Sequence, residues 1–356
     1  MVCEQLKVPF KADSMRQPLF SINIPMYNCE EFILEALKSI EQQTFRDWEI
    51  VLVDDGSTDG TLETCLRQKI IPSEKIKIIA SCHAGQYATR RKLIENSLGA
   101  YIISLDADDM LIDSDSLEKI AAAISNHGCD VVLFNATRSL DEINKIVDYG
   151  ILDADQDGII TSAEVLSVMS SSYELNNICF KAYRRTLWDS GENEREINNT
   201  EDRLQCAQIL SKADTCALID EPFYYYRPNP SSVTNKPIPF KFLQDLIYVE
   251  ESLNSILSKI SYDKEKRSAF LCQIVIGLLG LMRKAYPDRA SRIVLYRNTI
   301  DELSKSDLFS NIAPSIVRGG APIHVIAYRL LISNRLGLLD NLASAKEKIY
   351  GFSNNR

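Results

Sequence analysis

The stretch Glu49-Ile-Val-Leu-Val-Asp-Asp-Gly-Ser-Thr-Asp-Gly60 runs through four consecutive apolar residues into an acidic, glycine-bearing turn. A strand that stays apolar on both faces until its carboxyl end belongs in a parallel sheet covered by helices on both sides. Working outward, similar short runs predict strands at 20–25, 49–54, 75–80, 100–105 and 130–134. Between them, 30–43, 59–69, 86–98 and 114–126 place apolar residues at helical spacing, as in Phe32, Ile33, Ala36, Leu37 and Ile40. This alternation predicts an α/β fold over Phe20 to Phe134.

The polar residues gather where these strands end, at Pro25–Asn28, Asp54–Asp59 and Asp106–Asp109. In open α/β sheets, ligands bind beyond the carboxyl ends of the strands, so the three ends are expected to share one site. Beyond residue 135 the pattern weakens, leaving a strand at 178–183 and a helix at 201–210. From Phe240 the chain reads as amphipathic helices, with Phe242, Leu246, Val249, Leu253 and Ile256 three or four apart, and Pro237 and Pro239 mark the boundary.

A chain of 356 residues, 45% hydrophobic and 25% charged, has material for about two globular domains. Its net charge of −9 offers no basic field, so nucleic acid is not an expected partner. The nine cysteines are odd in number, scattered, and never paired as CxxC, which points to reduced thiols and a cytoplasmic setting. The first residues carry Glu4, Asp13 and two prolines where a signal peptide would carry an apolar core. The longest apolar run, Ala269 to Met282, is interrupted by Gln273 and falls short of the roughly 20 residues that cross a bilayer, so a buried helix is expected. Arg283, Lys284, Arg289, Arg292 and Arg297 follow it, which leaves peripheral contact with the inner face of a membrane open beside the simpler reading of a solvated face.

Asp54 and Asp55 close a buried strand and need donors there; a turn with a helix cap and a bound nucleoside both meet that need. Ile102-Ile-Ser-Leu-Asp-Ala-Asp-Asp109 puts three carboxylates within four residues at a strand end. Hard oxygen ligands of this kind suit Mg²⁺ or Mn²⁺, which keep one or two protein carboxylates and fill the remaining positions with diphosphate oxygens and water. Glu201 and Asp202 open a predicted helix, where a carboxylate either complements the helix dipole or serves as a general base. Asp153-Ala-Asp-Gln-Asp-Gly-Ile-Ile-Thr-Ser-Ala-Glu164 fits a calcium-binding EF-hand loop, with Asp153, Asp155, Asp157 and Glu164 as ligands, although no second loop exists to pair with it. His83, His127 and His324 lie far apart and suggest no role, and Phe223–Tyr226 reads as sheet packing.

Taken in order, Ser21-Ile-Asn-Ile-Pro-Met-Tyr-Asn28, Val53-Asp-Asp-Gly-Ser-Thr-Asp-Gly-Thr61, Leu105-Asp-Ala-Asp-Asp109 and Thr200-Glu-Asp202 resemble the family-2 inverting glycosyltransferases of GT-A fold. Cys179-Phe-Lys-Ala-Tyr-Arg184 and Tyr224-Tyr-Tyr-Arg227 with Ser232 extend the likeness to about residues 18–235. The resemblance implies a Rossmann-like nucleotide-diphospho-sugar transferase sheet domain at 18–239, with a donor half at 18–135 and an acceptor half at 136–239. An extension at 1–17 and a helical region at 240–356 flank it. It implies a hexosyltransferase-type enzyme acting on a nucleotide-sugar donor, a UDP-sugar first, and a glycan or lipid-linked acceptor. Pro25, Tyr27, Asp54 and Asp55 would contact the nucleoside, Asp106, Ala107 and Asp108 would bridge metal and diphosphate, and Asp202 would be the base. In Gly85-Gln-Tyr-Ala-Thr-Arg-Arg91, Arg90 keeps a family arginine on the diphosphate side, while Thr89 and Arg91 depart from the pattern. Two rival readings remain: a sugar nucleotidyltransferase, which needs a glycine-rich basic loop that Pro25–Cys29 lacks, and a non-catalytic carbohydrate- or calcium-binding module.

Overall fold

The computed structural model describes residues 17–188, 197, 199–228, 239–310, 312 and 322–351, without the side chains of Pro322 and 345–351. The expected extension at 1–17 lies outside these residues apart from Gln17, as do Ser232, Pro237 and Asn198. The chain divides into two compact units. The first takes in the chain up to Leu166 and again from Glu174; the second takes Ser167–Tyr173 and the chain after Asn229.

The first unit is built on β1 (Phe20–Met26), β2 (Trp48–Asp54), β3 (Ile76–Ala80), β4 (Tyr101–Ser104), β5 (Met110–Leu111), β6 (Val131–Thr137), β7 (Ile159–Thr161), β8 (Lys181–Arg184) and β9 (Thr215–Tyr225). They form one sheet in the order β3-β2-β1-β4-β8-β6-β9-β5, with β7 added on β9. β3, β2, β1 and β4 run parallel, whereas β8 enters antiparallel between β4 and β6. Every residue of β2 is buried, as its apolar run requires. Burying an Ile, Leu or Val side chain contributes about 1.5–3 kcal/mol, so this central strand anchors the sheet.

The helices α1 (Ile33–Glu41), α2 (Thr61–Arg67), α3 (Gln86–Glu95) and α4 (Ser116–His127) follow β1, β2, β3 and β5. On α1 the buried side is Ile33, Ala36, Leu37, Ser39 and Ile40, so the apolar spacing does define the packed face. α5 (Ser162–Met169) follows β7, and α6 (Glu201–Leu210) matches its expected span. The strand expected at 178–183 is shifted, because Ile178–Phe180 forms a 3₁₀ turn before β8.

The second unit is helical, with α7 (Lys241–Leu257), α8 (Lys264–Met282), α9 (Arg289–Ser304) and further helices at Asp307–Ser310, Pro322–Ile332 and Leu336–Gly351. Lys264–Ala285 is long and apolar enough, by length and mean hydropathy of 1.4, to cross a membrane. Ala269, Phe270, Leu271, Cys272, Ile274, Val275, Leu278, Leu279 and Met282 are buried in this unit, as a core helix requires. Arg267 on α8 is also buried and bonds Glu250 Oε2 at 2.6 Å and Ser170 O at 2.9 Å.

The basic run after α8 is not one solvated face, because Arg283 and Arg292 turn inward onto the buried Asp340 carboxylate at 3.4 and 2.7 Å. Tyr296 donates to the same carboxylate at 3.2 Å, and the Arg292 hydrogen bond holds its pKa below the ordinary value. Lys284, Arg289 and Arg297 remain exposed.

Candidate active site

Parallel pairing puts the ends of β1 and β2 side by side, with Met26 opposite Asp54, and β4 lies along the other edge of β1. The three acidic or polar strand ends of the first unit therefore meet at one edge. Asn28, in the left-handed region at φ 50°, accepts from Thr58 N at 2.8 Å and donates its own N–H to Ser57 Oγ at 3.0 Å. That clamp fixes the β1 end to the turn after β2.

Asp54 and Asp55 have different partners. Asp54 Oδ2 accepts from Ser57 N at 3.2 Å, while its buried Oδ1 has no partner among the described residues. Asp55 accepts from Ala84 N at 2.8 Å and Gly85 N at 3.0 Å, and His83 Nδ1 lies 2.9 Å from Oδ2. The donors that Asp55 needs are thus supplied by the loop before α3. Gly56, at φ 74°, turns the chain under that loop, where an added Cβ would come within 2.9 Å of His83 N. Half-exposed Tyr27 stacks on the His83 ring, centroids 4.7 Å apart and planes at 30°. His83, assigned no role from its neighbours in sequence, is therefore part of the site. The signal available was the unmet need of Asp55 for a donor. Pro25 lies in β1 beside Val53.

At the end of β4, Ala107 is buried and Asp106 Oδ1 is buried without a hydrogen-bond partner among the described residues. Burial pushes the Asp106 carboxyl up to about 6 against the opposing charge of Arg90, whose Nη2 is 3.9 Å away. Asp109 ties the β4 end to β9 by accepting from Tyr224 Oη at 2.6 Å and Arg227 N at 2.8 Å, and Tyr224 Oη in turn accepts from Asp106 N at 3.1 Å. Burial pushes Asp109 up to about 8. Tyr224 and Phe223 are fully buried, in line with sheet packing, and Arg227 is drawn to Asp108 O at 2.7 Å and Glu35 Oε2 at 2.6 Å.

α6 brings the third acidic element. Thr200, at φ 60°, turns the chain so that Glu201 and Asp202 face Arg90. Arg90 Nη1 donates to Asp202 Oδ1 and to Gln205 Oε1, the latter at 3.2 Å. Placed in the amide orientation that satisfies both neighbours, Gln86 accepts from Arg90 Nη2 at 2.7 Å and donates to Glu201 Oε1 at 3.3 Å. Burial pushes Glu201 up to about 7. Arg90, expected on the diphosphate side, is buried and joins Asp106 to Asp202.

A divalent ion fits this corner, because the orphaned Asp106 Oδ1 is an acceptor that no donor among the described residues satisfies. No group of three or more His, Cys, Asp or Glu gathers to hold a metal among the described residues. Asp106 and Asp108 alone would suffice for Mg²⁺ or Mn²⁺, which take their remaining oxygens from ligand and water.

The EF-hand-like loop is arranged differently. Asp155 Oδ1 accepts from Asp157 N at 3.0 Å and Ile159 N at 2.7 Å, with Gly158 at φ 75° completing the turn. Glu164 Oε2 accepts from Thr161 N at 3.0 Å while Thr161 Oγ1 accepts from Glu164 N at 3.2 Å, a capping box that starts α5. The strand β7 inside the loop pairs with β9. Asp153 and Asp157 point to solvent as exposed side chains.

With this geometry in place, the comparison with known proteins is direct. The pattern of Glycosyl transferase family 2 matches residues 21–189, which include both acidic strand ends. That match takes in 169 of the 356 residues, just under half of the chain. The chain is 28% identical over 233 residues to an uncharacterized glycosyltransferase, EpsJ, of Bacillus subtilis, covering 64% of the chain and 66% of EpsJ. It is 26% identical over 254 residues to the poly(ribitol-phosphate) beta-N-acetylglucosaminyltransferase TarS of Staphylococcus aureus, covering 69% of the chain and 42% of TarS. The chain thus spans from about two fifths to just under two thirds of these relatives' length. The crystal structure of TarS 1-349 with UDP-GlcNAc superposes with a TM-score of 0.68 at 16% identity, over 92% of this chain and 91% of that one. The chain therefore has the GT-A α/β fold with a helical C-terminal region.

Proposed function

We propose that the protein transfers a sugar from a nucleotide diphosphate donor to an acceptor hydroxyl of a glycan or lipid-linked glycan, with inversion. The observation that carries this is the Arg90 link between the orphaned Asp106 carboxylate and Asp202, which puts leaving-group and acceptor chemistry side by side. Asp106 and Asp108 would hold Mg²⁺ or Mn²⁺, and bound there it would offset the charge that develops on the departing diphosphate. Asp202 accepts the acceptor proton as the hydroxyl attacks in line, and Arg90 holds its carboxylate in place. Tyr27 offers its exposed face to the nucleoside, and Asp54 Oδ1 awaits a donor. UDP is the first choice of nucleotide, supported by the UDP-GlcNAc complex of the similar TarS fold. Exposed Lys284, Arg289 and Arg297 support peripheral contact with the inner face of a membrane, in a cytoplasmic protein that meets lipid-linked acceptors there.

A thermal-shift screen of nucleotide sugars with and without Mn²⁺ tests this reading. UDP-sugars should raise Tm only when the metal is present. Stabilisation by nucleoside triphosphates alone would favour a nucleotidyltransferase instead.

A further inference from the structure

Resting on the donor reading above, we infer that His83 reads the nucleobase, accepting at Nε2 a hydrogen bond from a ring N–H on the base edge while Tyr27 carries the base face. His83 Nδ1 lies 2.9 Å from Asp55 Oδ2 and 3.1 Å from Asp55 O. Both neighbours are acceptors, so Nδ1 carries the hydrogen, and in the neutral ring Nε2 is left as an acceptor. The side chain of His83 is 61% exposed, whereas that of Asp55 is 6% exposed with both oxygens already accepting from the 83–85 loop. Besides the buried Asp54 Oδ1, the acceptor that this corner exposes to a ligand is therefore the imidazole, and Asp55 is the residue that positions it.

The Tyr27 and His83 rings are tilted by 30° with centroids 4.7 Å apart, and Tyr27 is 50% exposed, so part of the Tyr27 face stays open. A base laid on that open part lies edge-on to the imidazole. Uracil presents its N3–H there, flanked by two carbonyls; cytosine has a bare acceptor at the same ring position. The arrangement selects a uridine over a cytidine nucleotide.

Calorimetry of UDP and CDP at pH 8 with Mn²⁺ present tests this with wild type, His83→Phe and His83→Ala. Wild type should prefer UDP by about tenfold or more. His83→Phe keeps a ring against Tyr27 but has no acceptor, and it should bind UDP about tenfold more weakly and bring the two affinities within about twofold. His83→Ala, at an exposed side chain, should lose the preference likewise. A full UDP preference in His83→Phe, or a wild type that prefers CDP, would overturn the role of His83 while leaving the donor reading intact. A wild type that binds neither nucleotide would overturn the donor reading and this inference together.

Discussion

Two acidic loops of the first unit, Asp106–Asp109 and Asp153–Glu164, share an Asp-x-Asp start in sequence and differ in what their oxygens do. In the second loop, Asp155 closes a turn and Glu164 caps α5, so these carboxylates are satisfied by their own backbone. In the first, Asp106 keeps a buried oxygen with no hydrogen-bond partner among the described residues, its ion pair to Arg90 being 3.9 Å long, and Asp202 stands on the other side of Arg90. On the proposed function, an acidic pattern becomes chemistry where the fold leaves an acceptor without a hydrogen bond and places reacting groups next to it. Where such residues meet their own N–H groups, as Asp155 and Glu164 do, the carboxylates shape a turn and start a helix.

The comparison breaks first at Asp202. Asp202→Asn keeps shape and some hydrogen bonding but cannot take a proton, so sugar transfer should fall by roughly 10²- to 10⁴-fold. Donor affinity, measured by calorimetry, should stay within about twofold. Normal transfer by this variant would leave Asp202 as a helix-start residue only.

A smaller effect sharpens the other side. Thr161→Ala removes one half of the capping box and should cost roughly 0.5–2 kcal/mol in urea unfolding, with transfer per folded molecule unchanged. Glu164→Gln, which can still bond Thr161 N, should be close to neutral in the same experiment. A large loss of stability in Glu164→Gln that depends on calcium would mean that the loop holds the ion.

The smallest effect concerns Asp340, a carboxylate met entirely from within the second unit. Its native pKa is lowered, chiefly by the Arg292 hydrogen bond, so its stabilisation is complete above the unfolded value of about 3.9 and is lost as pH falls through the native value. Asp340→Asn should therefore flatten the acid limb of the stability curve below about pH 4, read by circular dichroism during acid titration. An unchanged acid limb would show that the network is not linked to folding.

How much of this was legible in the sequence depends on which force fixed each element. β2 and the helix α1 were readable because a long apolar run or a 3.6-residue spacing alone sets them, whereas α6, with Arg203 and Gln205 buried beside its apolar residues, was readable as a span but not as a face. β9 was not, since Asp220, Glu221 and Pro222 interrupt its apolar pattern, and the register shift beside Asn135 that accommodates them is a tertiary event. Asp106, Asp108 and Asp202 were readable as an ordered motif series. Arg90 was identified, but its contact with Asp202 was not legible, because it spans 112 positions of sequence. His83 was missed for the same reason: its partner Asp55 is 28 positions away, and the pair forms only when the loop before α3 folds back onto the β2 end.

Metal titration of donor hydrolysis tests the central claim most directly, with wild type, Asp108→Ala and the Asp153→Ala/Glu164→Ala double variant assayed side by side for UDP-sugar turnover. The wild type should show Mn²⁺- or Mg²⁺-dependent turnover, the double variant should stay within about tenfold of it, and Asp108→Ala should lose on the order of 10²- to 10³-fold while remaining folded. Full metal-dependent turnover in Asp108→Ala, or its loss in the double variant alone, would contradict the assignment of chemistry to the β4 end.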